Sequence, residues 1–274
     1  SRSLLSLVLP FEAKIFESGK KLEINIQEDV MYTGIQQKIE QLVTILLDNA
    51  EKYAYEKGLD FLRNQTRQIA LDLKDYGINM NFAPVLDVNT NRNNPIIAER
   101  AFSSSTDEVI EGMKVVLDEY KKYNIITVGK HFPGHGESSS DSHKTLPVID
   151  LPYDELMNIH IKPFKEAINL GCPVIMAAHV LYPALDNTNT PASVSKKIIN
   201  DILLKELGYR GVVITDDMEM NGIKGYTKLE ACINAVNAGV NMFIFRDTTI
   251  EILQLIDDLV KSVEKGTINI KKID

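Results

Sequence analysis

The chain has 274 residues, 44% apolar and 25% charged, with 15 Gly, 10 Pro, 2 Cys and no Trp. Those proportions exclude a disordered chain, a collagen-like repeat and a disulfide scaffold. The 30 Lys and Arg against 38 Asp and Glu leave a net charge of −8, which repels phosphate backbones and argues against nucleic acid as a partner.

In chain order, short apolar runs alternate with stretches of helical periodicity. Leu5–Leu9 and Leu22–Ile26 are weak strand signals, followed by helices expected over Ile35–Glu56 and Gly58–Tyr76. Stronger strands follow at Met80–Val85, Ile125–Val128, Pro173–Ala178, Gly211–Thr215 and Val240–Phe245. Between and after them, apolar residues recur at three- and four-residue intervals over Asp107–Tyr123, Tyr153–Leu170, Lys196–Leu207, Leu229–Ala238 and Thr249–Lys265. Runs that stay apolar rather than alternating indicate strands covered on both faces, as in a parallel sheet. Repeated βα units without a composition break point to one domain over residues 1–274, a TIM-type (β/α)8 barrel. Seven strands are legible, so the first is expected to be lacking or degenerate.

No run approaches the roughly 18 apolar residues of a membrane helix. The apolar part of the opening S-R-S-L-L-S-L-V-L-P is shorter than a signal-peptide core, and the reading is of a cytoplasmic protein. A leader removed ahead of Ser1 would make it an exported one. Cys172 and Cys232 have apolar neighbours and no metal or redox spacing, and are expected as buried thiols.

In a barrel of this kind the chemistry sits where strands end. Those ends carry Asp87, Lys130-His131, His179 and Asp216-Asp217. Gly129–His143 reads G-K-H-F-P-G-H-G-E-S-S-S-D-S-H and holds three of the five histidines. Pro133-Gly134 forbids a helix there, so His131 and His135 do not share a helical face. Asp141 and His143 are two apart, close enough for the carboxylate to hold one ring nitrogen and raise the basicity of the other. Three readings compete: a surface loop, a metal site built on His131, His135, Asp141 and His143, and an acid/base pair. The absence of a helical H-E-x-x-H and the run of serines weigh against the metal.

Gly211–Met220 reads G-V-V-I-T-D-D-M-E-M. Of two adjacent carboxylates, one must find donors or a cation or else take up a proton. Asp216-Asp217 is either a helix cap with a first-turn acid or a carboxylate placed for displacement at a sugar carbon. Asn81–Phe102 makes an Asn-rich loop closed by Pro95. Its Arg100 is a solvated charge or, through its forked donors, a holder of sugar hydroxyls.

Together K-H-F-P-G-H-G with D-S-H, N-F-A-P-V-L-D-V and V-V-I-T-D-D resemble glycoside hydrolase family 3, in its β-N-acetylhexosaminidase branch of bacterial cell-wall recycling. M-A-A-H-V-L-Y-P-A-L-D at Met176–Asp186 and P-A-S-V-S at Pro191–Ser195 support the likeness, which runs from about Ile78 to Met242. The resemblance implies a retaining enzyme that removes terminal β-linked N-acetylglucosamine. Asp216 matches the nucleophile, His143 the acid/base and Asp141 its orienting partner. Arg100, Lys130 and His131 match residues that hydrogen-bond the sugar. Asp217 and Asp87 are read as structural. No cofactor or metal is implied, and the partner is an oligosaccharide carrying N-acetylglucosamine. A neutral imidazole does not repel an anionic acceptor, so phosphate stands beside water in that role.

The first seventy residues fit the family less well. Members carry a D-Q-E-G-G-type motif whose aspartate holds sugar hydroxyls, and Gln27 falls at that place, beside Glu28 and Asp29. A catalytically impaired sugar-binding protein on the same frame, a β-glucosidase-type specificity and a metal-dependent hydrolase are the alternatives.

Overall fold

A computed structural model of the chain describes residues 57–139, 146–223, 225–246 and 249–273. The expected strands Leu5–Leu9 and Leu22–Ile26, the helix Ile35–Glu56, and residues Gln27, Asp141 and His143 lie outside the described residues. Helix α1 (Leu59–Asp75) buries a stripe of Leu62, Thr66, Ile69, Ala70 and Leu73. It packs on helix α2 (Thr106–Lys122), which turns Val109, Val116 and Tyr120 toward it.

Five parallel strands follow one another in space as in sequence: β1 (Met80–Asn81), β2 (Ile126–Phe132), β3 (Val174–Ala177), β4 (Val212–Asp217) and β5 (Met242–Ile244). Helical crossovers separate them, as parallel pairing requires. These are α2, then α3 (Lys162–Asn169), a π-wound helix at Lys197–Glu206 and α4 (Lys228–Ala238); α5 (Ile250–Glu264) follows the last strand. Helix α4 starts in a reciprocal cap: Thr227 Oγ1 accepts from the Glu230 N–H while the Glu230 carboxylate accepts from the Thr227 N–H. It ends at Gly239 with φ of 112°, a conformation that a side chain would strain.

Side chains alternate across this sheet. Val128, Val174, Met176 and Ile214 gather on one face in a cluster made of strand residues. Ile175, Ala177 and Val213 point the other way, into a larger core with Phe164, Ile198, Leu203 and Ala235 from the crossovers. The described strands thus form a parallel α/β half-barrel, coarser than the eight-stranded barrel expected from sequence.

The expected strand Met80–Val85 is cut to two residues. Pro84 has no N–H to give to the ladder, although its carbonyl and that of Ala83 still accept from Lys130 and Val128, at 3.2 and 2.9 Å. In compensation β2 runs on past the expected Val128 to Phe132, so Lys130 and His131 lie within a strand rather than beyond one. The helix expected over Tyr153–Leu170 is broken. A π turn at Leu156–His160 separates Tyr153–Glu155 from α3, where Pro163 removes a donor and crowds the carbonyl four residues back. Nothing in the side-chain pattern explains the wide winding of Lys197–Glu206. Strand β5 is covered on one face only in part, with Met242 44% exposed. Cys172 and Cys232 are buried thiols. Among the described residues no helix is long and apolar enough to cross a membrane.

Candidate active site

Period-two alternation places the key groups. Lys130 follows Val128 by two residues and Asp216 follows Ile214 by two, so both continue the strand-residue face at its carboxyl end. Lys130 is buried, and its positive field reaches Asp216. Burial alone would raise the Asp216 pKa. The neighbouring His131 and His179, the Asp217 N–H and Lys130 outweigh it and hold the carboxyl below the usual value.

The adjacent carboxylates divide their roles. Asp216 Oδ1 accepts from the Asp217 N–H at 2.8 Å. The Asp217 carboxylate is spent on structure: Oδ1 accepts from the N–H groups of Glu219 (3.0 Å) and Arg246 (3.1 Å), and Oδ2 lies 3.7 Å from Arg246 Nη1. Those bonds tie the end of β4 to Arg246, two residues past β5, so Asp217 is the structural acid of the pair and leaves Asp216 facing the cluster.

Behind the sugar-binding candidates stands Asp87, fully buried at the exit from β1. Its Oδ2 is 2.7 Å from His131 Nδ1, and its Oδ1 accepts the His135 N–H at 2.6 Å. Burial pushes this carboxyl up. The field and hydrogen bond of His131, then the field and N–H of His135, pull it down further, to about 2. Asp87 therefore stays ionised and accepts, which puts a proton on His131 Nδ1. The His131 and His135 rings meet edge to face, centroids 6.1 Å apart. His135 is buried, and burial lowers its pKa to about 4. It backs the site as a neutral ring.

The Asn-rich loop after β1 grips the histidine loop by its backbone. Buried Asn94 donates through Nδ2 to the carbonyls of His135 (2.9 Å) and Gly136 (3.0 Å). Its Oδ1 accepts from the N–H groups of Ile96 and Ile97, both at 2.9 Å. Asn91 reaches the carbonyls of Glu137 and Ser138, and Thr90 bonds the Glu137 carboxylate. Gly136 passes so close to Val88 that a Cβ would sit 1.8 Å from its carbonyl oxygen. Arg100 closes the 3-10 turn Ala98–Arg100 on the same loop, half-buried, at the same end of the sheet.

Of the residues expected from sequence, Lys130, His131 and Asp216 come together, and Arg100 sits on a loop at that end. Asp87 keeps its structural reading yet turns out to organise both histidines. His179 and Asn94 had no role in the sequence reading. A lone strand-end histidine and one asparagine among several carry no local signal. Among the described residues no three or more of His, Cys, Asp and Glu are arranged to hold a metal ion.

Over residues 8–274 the chain matches the family model described as the glycosyl hydrolase family 3 N-terminal domain. It is 39% identical over 255 residues to beta-hexosaminidase A of Pseudoalteromonas piscicida, a span of 88% of this chain and 40% of that protein. A beta-hexosaminidase of Nitrosomonas eutropha is 35% identical over 194 residues, 69% of this chain and 55% of that protein. Among solved structures, a glycoside hydrolase family 3 beta-N-acetylglucosaminidase from Paenibacillus sp. str. FPU-7 superposes with a TM-score of 0.76 at 34% identity. The superposition covers 83% of this chain and 43% of that one. The chain spans about half the length, or less, of these relatives.

Proposed function

The chain belongs to glycosyl hydrolase family 3, and from that we propose that it is a retaining β-N-acetylhexosaminidase acting on terminal β-linked N-acetylglucosamine. Asp216 is the nucleophile in this reading. The observation that carries it is a carboxylate at the end of β4, half-buried and yet held ionised beside His131, His179 and Lys130 with the Asp217 N–H bonded to it at 2.8 Å. An anion kept unprotonated between two imidazoles and a buried lysine is suited to attack on a carbon that gains positive character.

In the first step Asp216 bonds to the anomeric carbon as the bond to the leaving oxygen breaks. His143, oriented by Asp141, gives that oxygen its proton. In the second step His143 takes a proton from water, whose oxygen bonds to the anomeric carbon and releases Asp216. Lys130, His131 and Arg100 hold the sugar hydroxyls, and the substrate is an oligosaccharide. The described half-barrel supports the reading of residues 1–274 as one domain, a TIM-type (β/α)8 barrel with its first strand lacking or degenerate.

The test is nitrophenol release from 4-nitrophenyl N-acetyl-β-glucosaminide, with the β-glucoside in parallel and Asp216→Ala as control. Hydrolysis of the N-acetyl sugar, lost by about 10⁴-fold in Asp216→Ala, is expected. Preference for the glucoside would move the assignment to a β-glucosidase specificity. Wild-type turnover by Asp216→Ala would remove the nucleophile assignment.

A further inference from the structure

Two stretches that the reaction scheme leaves unused, Met176–Asp186 and Pro191–Ser195, meet at one buried imidazole. His179 follows β3 and is 1% exposed. Its Nδ1 lies 2.6 Å from Ser193 Oγ, and its Nε2 lies 3.1 Å from the backbone carbonyl oxygen of Asp217. A carbonyl oxygen only accepts, so Nε2 must carry the proton. Burial disfavours the charged ring and lowers its pKa, so Nδ1 keeps its lone pair and the Ser193 hydroxyl donates to it.

Both ends of this chain of bonds are fixed by other contacts. The Ser193 N–H donates to the Ala178 carbonyl at 3.0 Å. Asp186 holds the loop between the two stretches, accepting from Thr188 Oγ1 at 2.6 Å and from the Ser195 hydroxyl. On the other side the turn Asn221–Ile223 presses on the histidine. A Cβ at Gly222 would stand 2.7 Å from the His179 carbonyl oxygen and 2.8 Å from its Cβ. The ring is boxed in one orientation, with its N–H aimed at the peptide that follows Asp217.

We infer that His179 is a positioning residue for Asp216: its Nε2–H fixes the Asp217 carbonyl, and the N–H of that same residue fixes the Asp216 carboxylate. The inference rests on the reading of Asp216 as nucleophile. The relay runs Ser193 hydroxyl to Nδ1, Nε2–H to the Asp217 carbonyl, and Asp217 N–H to Asp216 Oδ1 at 2.8 Å. The amide plane on each side of Asp217 is thereby held. A nucleophile must meet the anomeric carbon within a few tenths of an ångström, and a small misplacement slows the chemical step without weakening substrate binding.

The experiment uses the full chain with the nitrophenyl N-acetyl sugar and four variants: His179→Leu, His179→Gln, Ser193→Ala and Asp216→Ala. His179→Leu is expected to lower kcat by about 10- to 100-fold with KM within about twofold of wild type. His179→Gln, which keeps an N–H near the place of Nε2, recovers most of that loss. Ser193→Ala falls between the two. A nitrogen-15 histidine spectrum of the wild type, assigned by the signal missing in His179→Gln, should show the neutral Nε2–H form. The spectrum and the Gln and Ser193 variants carry the test if His179→Leu does not fold. A rise in KM with kcat kept, a Gln variant no better than Leu, or an Nδ1–H tautomer would overturn the inference. A dead Asp216→Ala beside a fully active His179→Leu defeats this inference alone, whereas a fully active Asp216→Ala defeats the nucleophile assignment and this one with it.

Discussion

Asp87 and His131 form a buried carboxylate–imidazole pair, Oδ2 to Nδ1 2.7 Å, across 44 residues of chain. Because that carboxylate is ionised, the Nδ1–H donates to it and Nε2 is the ring nitrogen left to meet a ligand. The same carboxylate takes the N–H of His135, so one acid sets both the tautomer of one histidine and the backbone path to the next.

Asp87→Asn tests that arrangement. Its amide NH2 would face donors on any side where it replaced a carboxylate oxygen, and the charge that draws them together is gone. Removing one partner of a buried pair typically costs about 3–5 kcal/mol, and a loss of that order is expected in urea unfolding. Hydrolysis of the nitrophenyl N-acetyl sugar should fall about 100-fold. Unchanged stability and turnover would mean that the pair is incidental.

Asn94 satisfies four backbone groups at once, two by accepting and two by donating. Asn94→Ala leaves those groups buried without it, and a stability loss of about 2–4 kcal/mol follows from the cost of orphaned polar groups. Asn94→Asp retains the accepting side but sets a carboxylate against two carbonyl oxygens. It should therefore be no better than alanine despite its matching shape. Denaturation midpoints of the two variants decide the point, and a stable aspartate variant would contradict the donor assignment.

Gly136 admits no side chain because a Cβ would lie 1.8 Å from the Val88 carbonyl oxygen. The obstruction is backbone, which no rotamer change relieves. Gly136→Ala is expected to lose more than about 4 kcal/mol or to fail to accumulate as soluble protein. Gly225, with open space around its Cβ position, is the matched control, and alanine there should be tolerated.

Acid should destabilise the fold in two stages. His135, His160 and His179 are buried, and burial lowers each pKa from 6.5, that of His135 to about 4. At these histidines the unfolded chain then binds more protons than the fold as pH falls from about 6.5 toward the folded-state values, about 4 for His135. Stability is full above about pH 6.5 and falls as pH drops toward about 4, on the order of 3 kcal/mol from His135 alone. Asp87, lowered to about 2, contributes above about 4 and loses that contribution between about 4 and 2. Urea midpoints at pH 8, 6 and 5 should decline in order. Neither ring nitrogen of His160 has a hydrogen-bond partner. His160→Leu should therefore flatten the slope without lowering stability at pH 8. Midpoints flat from pH 8 to 5 would contradict this.

Periodicity told most of the secondary structure, because it is a property of neighbouring residues. The βα alternation, the crossovers and the strand ends bearing Lys130, His131 and Asp216 all follow from apolar spacing of two or of three and four. It erred where one residue acts through a distant partner. Pro84 breaks a ladder whose other strand lies some forty residues on, and β2 continues past Gly129 because both its neighbours support it. The D-D pair was ambiguous for the same reason. Which acid is structural depends on Arg246, 29 residues beyond Asp217, and the spacing of the chain does not encode that meeting. The parts of the site were therefore written in local sequence. Their division of labour came from parallel pairing, which brings strand ends together across whole helices and sets each carboxylate among charges and donors that no short stretch contains.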